Sequence, residues 1–299
     1  MEKIRKIKYF LDQLHQDEIK NQVFYLFGYE KGYEKVLSYN YGYLPFCMVD
    51  DLKITEHIVP SKNTTIRSNI KRKSTNYIVI HNTGMAHPTA TAKGLDEYIH
   101  TTTREASWHF SVDDKEAFQQ IPIDEVGWHA GDGRNIYPEV WLNDKGFHLG
   151  GGNLCGIGIE SCVYKGVDFN KVLRNLANLT ADLLIKYNLG INAIKQHYDF
   201  SSKNCPQVIR EAKRWDEFIH LVKLELYRKT QLNDVIFSFK SLDPDVMDNF
   251  GAIINHPNKE KEISYQVTVN YEGKTEIFKY KTRVARLDYG FMEDKNEIY

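Results

Sequence analysis

The chain lacks the features that mark membrane proteins and nucleic-acid-binding proteins. None of its apolar runs approaches the ~20 residues that a helix needs to span a bilayer. Its 39 lysines and arginines nearly balance 40 aspartates and glutamates, which leaves a formal net charge of −1. A protein with so small a net charge has no long-range attraction for nucleic acid or an anionic lipid surface. The 299 residues also contain no internal repeat and no low-complexity tract, so we expect one or more ordinary folded domains.

Cysteine is scarce as well. The four cysteines are Cys47, Cys155, Cys162 and Cys205, and they include no CxxC pair. This pattern excludes a disulfide-rich scaffold. We interpret Cys155 and Cys162 as small buried side chains near a strand, with a bridge between them as the alternative. Cys205 differs because its neighbours are polar, so it is a candidate for chemistry.

A standard secretory leader is not visible at the start of the sequence. Residues 1–6 are charged, but no apolar core follows them. We therefore expect synthesis in the cytoplasm, followed by residence there or by export along another route; a leader removed earlier is the alternative.

Residues 1–51 are predicted to form an N-terminal accessory segment. Apolar residues between positions 4 and 14 fall at helical spacing, which predicts an amphipathic helix. Residues 24–29 and 39–46 are rich in aromatics. Such stretches either pack into a small folded element or stack on sugar rings, and the sequence leaves both interpretations open.

Residues 52–230 are predicted to form the central domain. Short apolar runs, which are typical of buried strands, alternate along it with segments whose apolar residues recur at helical spacing. This alternation favours an α/β fold with a mixed central β-sheet flanked by helices. The strands are predicted at residues 77–80, 108–112, 117–121, 157–160 and 194–196, and the helices at 91–101, 169–187 and 215–227.

Residues 231–299 are predicted to form a small β-rich module. Apolar and polar residues alternate between positions 263 and 271, a turn follows, and residues 275–280 return as a second strand. With the segments 241–245 and 255–257 before this hairpin, the module resembles the degenerate immunoglobulin-like domains of bacterial surface proteins. The resemblance implies a β-sandwich.

The most reactive group of side chains lies just before a predicted helix start at Pro206. His197, Lys203 and Cys205 fall within nine residues there, and His81 ends the apolar run 77–80. Histidine and cysteine are preferred zinc ligands, and catalytic zinc takes three protein ligands and leaves one position open. A single histidine at a strand end is more often structural, so the residue types alone leave both interpretations open.

Five motifs, in this order, resemble the zinc-dependent N-acetylmuramoyl-L-alanine amidases. This family includes phage endolysins, bacterial autolysins and the peptidoglycan recognition proteins, and the resemblance covers residues from about 52 to 215. It implies a mixed sheet flanked by helices. The motifs are Ile80-His81-Asn82-Thr83-Gly84, Ser107-Trp108-His109-Phe110, Gly127-Trp128-His129-Ala130-Gly131, Ile157-Gly158-Ile159-Glu160, and His197-Tyr198-Asp199 followed by Asn204-Cys205-Pro206.

The resemblance also implies roles for individual residues. It makes His81, His197 and Cys205 the ligands of a Zn²⁺ cofactor. Glu160 matches the glutamate that polarises the attacking water, and Lys203 matches the lysine that stabilises the oxyanion. These are the predicted catalytic residues.

Two further residues are predicted to bind substrate. Trp108 stands where several relatives have a catalytic tyrosine, so that tyrosine role is not available here. His129 matches a groove histidine. The segment 134–153, which carries His148, is predicted to form a groove wall. His100, like His87, has no ligand-like companion in the sequence and is interpreted as a surface residue.

Three functions remain open at this stage. The resemblance implies an enzyme that cleaves the bond between N-acetylmuramic acid and L-alanine of peptidoglycan, at the bacterial cell wall. The alternatives are a module that binds muropeptide without cutting it and a cytoplasmic amidase that recycles soluble muropeptides. The complete ligand set favours an enzyme, since relatives that only recognise the wall typically lack the cysteine. We expect peptidoglycan as the partner, with no nucleic acid and no membrane span; the sequence does not indicate an oligomeric state.

Overall fold

The computed structural model describes residues 2–27, 36–40, 42–44, 52–131 and 151–288. These residues form two compact units. The central unit contains the described residues between 52 and 219. The terminal unit contains the described residues before 45 together with those from 220 onward.

The secondary structure is numbered along the chain. The strands are β1 (Glu18–Ile19), β2 (Val23–Phe27), β3 (Val36–Asn40), β4 (Ile54–Glu56), β5 (Tyr77–Asn82), β6 (Phe110–Val112), β7 (Ala117–Gln119), β8 (Gly156–Ser161), β9 (Ile194–Gln196), β10 (Ile236–Ser241), β11 (Lys261–Tyr271) and β12 (Lys274–Val284). The α-helices are α1 (Glu2–Leu14), α2 (Ala92–Thr101), α3 (Gly151–Cys155), α4 (Phe169–Lys186), α5 (His197–Ser201), α6 (Gln207–Glu211) and α7 (Trp215–Gln231), and a 3₁₀ helix covers Ile191–Ala193.

The central unit is built on a six-stranded sheet in the order β4–β7–β6–β8–β5–β9. The β6–β7 hairpin is antiparallel, and the other neighbouring strands run parallel. β5 lies inside the sheet and all six of its residues are buried, as expected for a strand that is covered on both faces. The predicted mixed sheet with flanking helices is therefore confirmed.

Helix α4 is the longest helix that covers this sheet. The Asp168 carboxylate caps its N-terminus by accepting hydrogen bonds from the backbone N–H groups of Asn170 and Lys171. The helix packs against β5, β6 and β8. Its apolar positions recur at helical spacing, and the buried ones include Val172, Leu173, Leu176, Leu179, Leu183 and Leu184. This apolar stripe is the feature that made the helix predictable.

The terminal unit contains a four-stranded sheet in the order β1–β12–β11–β10. β10, β11 and β12 are antiparallel, and β1 joins β12 in parallel. Helix α1 packs its apolar side into the same hydrophobic cluster as one face of β11. The buried residues of that cluster include Ile7, Phe10, Leu11 and Leu14 of α1, and Ile263, Tyr265, Val267, Val269 and Tyr271 of β11. β2 and β3 form a separate antiparallel pair.

The sequence predicts three parts, at residues 1–51, 52–230 and 231–299, whereas the structure forms two units with other boundaries. The N-terminal residues belong with the C-terminal strands, because α1 shares a core with β11 and β1 pairs with β12. A sequence pattern identifies an apolar helix face but not the surface that covers it. The unit boundary after residue 219 falls inside α7. The described strands after residue 231 lie in one sheet, whereas an immunoglobulin-like sandwich needs two.

Two further predictions concern the thiols and the membrane. Cys155, Cys162 and Cys205 are buried free thiols. The interpretation of Cys155 and Cys162 as buried side chains is therefore confirmed, and a bridge between them is excluded. Cys47 lies outside the described residues. Among the helices that the structure describes, none combines the length and the apolar character needed to span a bilayer.

Candidate metal centre and active site

Strand register brings the predicted site residues together. β5 and β8 are parallel neighbours that pair His81 with Glu160, so both side chains leave the sheet on the same face. β9 flanks β5 on its other side and pairs Gln196 with Ile80. His197 follows Gln196 directly and therefore lies beside His81.

The chain after His197 turns back toward the strand ends. Helix α5 starts with a capping box, in which Asp199 Oδ2 accepts a hydrogen bond of 2.8 Å from the Gln196 backbone N–H. The Tyr198 N–H donates to the Cys205 carbonyl at 2.9 Å and closes the loop. Asn82 then fixes the start of α6, because its Oδ1 accepts from the Val208 N–H at 2.8 Å. Cys205 is thereby held next to the end of β5.

His81, His197 and Cys205 converge on one point. The Nδ1 atoms of the two histidines are 3.0 Å apart, and Cys205 Sγ lies 3.8 Å from His81 Nδ1. Tetrahedral zinc would separate two nitrogen ligands by roughly 3.3 Å and a nitrogen from a sulfur by roughly 3.6 Å. Two imidazole nitrogens as close as these need a proton or a cation between them. The donor types and their spacing fit a zinc ion.

Burial sets the protonation of these groups. It lowers the pKa of His81 well below the ordinary value, helped by the neighbouring His129. Burial, and then the positive charge of Lys203, lower the pKa of His197 to about 4. Both imidazoles are therefore neutral near pH 7, which is the form that binds a metal. Burial raises the pKa of the Cys205 thiol to about 12, so metal binding there would displace a proton.

His129 contacts the far side of the His81 ring. Its Nδ1 lies 3.1 Å from His81 Nε2, so His81 can donate its Nε2–H to His129 while Nδ1 faces the metal centre. Metal-binding histidines commonly use their second nitrogen in this way. Gly158 makes the room, since a Cβ atom there would lie 2.6 Å from His129 Cγ. The predicted substrate contact thus also packs against a candidate ligand.

Glu160 lies at the same point. Its Oε1 is 3.9 Å from His81 Nδ1, and its buried Oε2 has no hydrogen-bond partner among the described residues. Burial raises the pKa of this carboxyl to about 7, against the opposing charges of Lys203 and Arg104. A carboxyl group that exchanges its proton near neutral pH is suited to general acid–base chemistry.

A groove of about 390 Å³ gives access to this group. Glu160, His197 and Lys203 line it, together with the predicted substrate contacts Trp108 and His129. The remaining two predicted residues, the buried ligands His81 and Cys205, complete the metal centre beside it. The structure therefore brings all seven predicted site residues to one place.

Several groove residues were not predicted as site residues, and three of them are aromatic or charged. Tyr98, Arg104 and Trp128 also line the groove. Tyr98 lies on the apolar face of α2, where the sequence pattern indicates a packing residue. Trp128 belongs to one of the five family motifs, but the resemblance assigns it no role. Arg104 falls in no motif. The predicted groove wall at 134–153 cannot be compared, because residues 132–150 lie outside the described part, including His148.

Comparison with known proteins identifies relatives of the central unit. The sequence profile of the family described as N-acetylmuramoyl-L-alanine amidase matches residues 71–208. The N-acetylmuramoyl-L-alanine amidase CwlH of Bacillus subtilis (strain 168) is 35% identical over 144 residues, which are 48% of this chain and 51% of CwlH. The N-acetylmuramoyl-L-alanine amidase XlyA of the same organism is 34% identical over 142 residues, 48% of this chain and 42% of XlyA.

A solved structure of the catalytic domain of XlyA aligns with 57% of this chain and 99% of that domain, at 30% identity and a TM-score of 0.49. The chain spans about half the length of the curated relatives it matches. The matched segment contains every predicted site residue, and these residues meet in the structure. Through residues 71–208, the chain belongs to the N-acetylmuramoyl-L-alanine amidase family.

Proposed function

We propose that this protein is a zinc-dependent amidase that hydrolyses the bond between N-acetylmuramic acid and L-alanine in peptidoglycan, for lysis or remodelling of the cell wall. One observation carries the proposal: two neutral imidazoles and a thiol converge beside a carboxyl group at an open groove. The curated relatives are named for this reaction.

His81, His197 and Cys205 would hold the ion, with His129 fixing the orientation of His81 through its hydrogen bond of 3.1 Å. A zinc ion held by these residues supplies Lewis acidity toward a carbonyl and lowers the pKa of a bound water. The neutral state of both imidazoles supports this assignment, because neither has to lose a proton before it binds.

Glu160 is the proposed general base and acid. Its carboxylate accepts a proton from the attacking water and then donates it to the nitrogen of the leaving L-alanine. The cleaved bond leaves a free carboxylate on the lactyl group and a free amine on the stem peptide. Lys203 stabilises the negative charge that develops on the carbonyl oxygen. Lys203 is exposed and lines the groove together with Glu160.

Trp108 and His129 are the proposed substrate contacts. Trp108 Nε1 donates a hydrogen bond of 2.8 Å to Ser111 Oγ, which holds the indole at the groove. An anchored indole offers a rigid apolar surface to a sugar ring or a peptide side chain. His129 lies at the groove but is only 8% exposed, so its contact with substrate is small beside its contact with His81.

The direct test measures newly freed N-terminal L-alanine after incubation with insoluble peptidoglycan, with and without a chelator. We expect release that stops on chelation and returns with zinc. Binding to the wall without release, despite bound zinc, would favour a recognition module. Release from soluble muropeptides alone would favour a recycling amidase.

Variants separate the metal ligands from the catalytic groups. Cys205→Ser should lose zinc and activity together, whereas Cys155→Ala, which removes another buried free thiol, should lose neither. Glu160→Gln should keep its zinc and lose turnover. A Glu160→Gln protein that retains full activity would overturn the assignment of the general base.

A further inference from the structure

A second group of potential metal ligands lies outside the active-site groove. It consists of His57, Asp96 and His100, and one potential ligand atom of each lies within 4.8 Å of the others. None of the three lines the groove. His100 has no ligand-like companion in the sequence alone, because the nearest partner along the helix is an aspartate and the second histidine precedes the helix by more than thirty residues.

Local structure explains how these residues meet. Asp96 and His100 are four residues apart on α2 and therefore share one face of the helix. His57 follows β4, and its backbone N–H donates to the Gln119 carbonyl at 3.0 Å, which continues the pairing of β4 with β7. The group thus joins a strand end to a helix face within the central unit.

The contacts leave metal-binding atoms unused. His57 Nδ1 lies 2.6 Å from Asp96 Oδ2, and the rings of His57 and His100 stack with centroids 4.0 Å apart. His100 Nδ1 donates to the Asp96 carbonyl at 2.7 Å. Because Nδ1 carries this proton, Nε2 of a neutral His100 has a free lone pair. A metal-binding histidine is commonly oriented by such a bond to a backbone carbonyl.

Two of these atoms are buried without a hydrogen bond. Asp96 is 3% exposed, and neither Asp96 Oδ1 nor His100 Nε2 has a hydrogen-bond partner in the part of the chain that the structure describes. A buried polar atom without a partner is costly. A cation between the three side chains would satisfy both atoms, which a simple ion pair between His57 and Asp96 does not.

We propose that His57, Asp96 and His100 form a second metal site, which binds a divalent transition-metal ion such as Zn²⁺. Two imidazoles and one carboxylate match the ligand preference of zinc, cobalt and nickel, whereas calcium and magnesium prefer oxygen ligands alone. The His57 side chain is 57% exposed, so water can complete the coordination.

Helix α2 connects the proposed second metal site to the active-site groove. Leu95, Tyr98 and Thr102 line the groove, and they alternate along the chain with Asp96 and His100. An ion held by Asp96, His100 and His57 ties this groove wall to the end of β4. The site is therefore structural: it stabilises α2 and takes no part in bond cleavage.

Zinc stoichiometry tests the proposal. The full chain, first stripped with a chelator, is dialysed against micromolar free Zn²⁺, and bound zinc per chain is measured by mass spectrometry. We expect two equivalents for the wild type and one each for His57→Ala and Cys205→Ser. The double variant should bind none. His57→Ala is suited to the test because this side chain is largely exposed, and His87→Ala, which alters a histidine outside both groups, should keep two.

A second measurement distinguishes the loss of a metal site from misfolding of a variant. Zinc should raise the melting temperature of Cys205→Ser, in which only the second site remains, and should leave the double variant unchanged. Equal zinc content in the wild type and His57→Ala would overturn the proposal, as would second-site binding that needs millimolar zinc. Because Cys205→Ser isolates the second site, this outcome is independent of whether the first centre is catalytic.

Discussion

Replacing Gly158 with alanine tests whether His129 supports the metal centre. The new Cβ would lie 2.6 Å from His129 Cγ and 2.8 Å from its Nδ1, whereas nonbonded carbon contacts are optimal at about 3.5–4.0 Å. The imidazole would have to move by roughly 0.9 Å or more to restore that separation. Such a movement breaks the hydrogen bond of 3.1 Å to His81.

Two magnitudes follow for Gly158→Ala. Overpacking a buried site costs about 1–3 kcal/mol in the free energy of unfolding, and we expect that loss in the chelated protein. Removing the partner of a metal-binding histidine typically weakens metal affinity by about 10–100-fold. We therefore expect zinc affinity to fall by that factor in addition to the loss of stability.

The assay uses a double-mutant cycle. Urea unfolding of the chelated protein is followed by tryptophan fluorescence, which reports on the central unit because all four tryptophans fall between residues 52 and 219. In a His129→Ala background the obstructing ring is gone, so Gly158→Ala should cost little. Gly190→Ala is the control, since its Cβ would meet nothing within 4 Å. An equal cost of Gly158→Ala in both backgrounds would refute the reasoning.

Three further predictions address other parts of the central unit. Glu125→Ala should lower the free energy of unfolding in urea by about 3–5 kcal/mol. Arg67 Nη2 lies 2.6 Å from Glu125 Oε2, so the substitution leaves a buried charge without its ion-pair partner. Replacing both residues with apolar ones should recover most of the loss. Burial lowers the pKa of His109 to about 3, so the stability present above pH 6.5 is lost as the pH falls toward 3, by up to about 1.4 kcal/mol per pH unit. His109→Asn should show a shallower pH dependence of the urea midpoint, although the other buried histidines contribute in the same direction. Lys203→Met should lower kcat by about 10²–10³-fold with unchanged zinc content, whereas Lys93→Met, outside the groove, should leave kcat unchanged.

Much of the central fold could be predicted because its elements carry strong local patterns. The run at 77–80 is apolar throughout and became the buried strand β5, and the stripe at 169–187 became α4. Shorter elements such as β4 and α5 were missed, since three to five residues hold too little periodicity. The sequence also did not show which elements pack against each other. The apolar face of α1 was evident, but the strand that covers it, β11, lies about 250 residues later in the chain.

The active site was predictable for a different reason. His81 ends a strand that the sequence identifies, and Cys205 lies in a polar stretch where a core cysteine is not expected. The family motifs then indicated that His81 and Cys205 belong to one metal centre. What the motifs could not supply was the direction of each side chain, and so the contact between His129 and His81 emerged only from the pairing of β5 with β8 and the absence of a side chain at Gly158.

The second group of ligands shows where this kind of prediction stops. His100 is interpreted as a surface residue from the sequence, His57 falls in no motif, and Asp96 is one of several helix aspartates. They become a candidate site only because β4 pairs with β7 in a register that puts His57 opposite one face of α2. Register across a sheet depends on the whole core rather than on the residues that it brings together. A metal site assembled in this way leaves no local sequence signature, and it is found by asking which buried polar atoms the fold leaves without a partner.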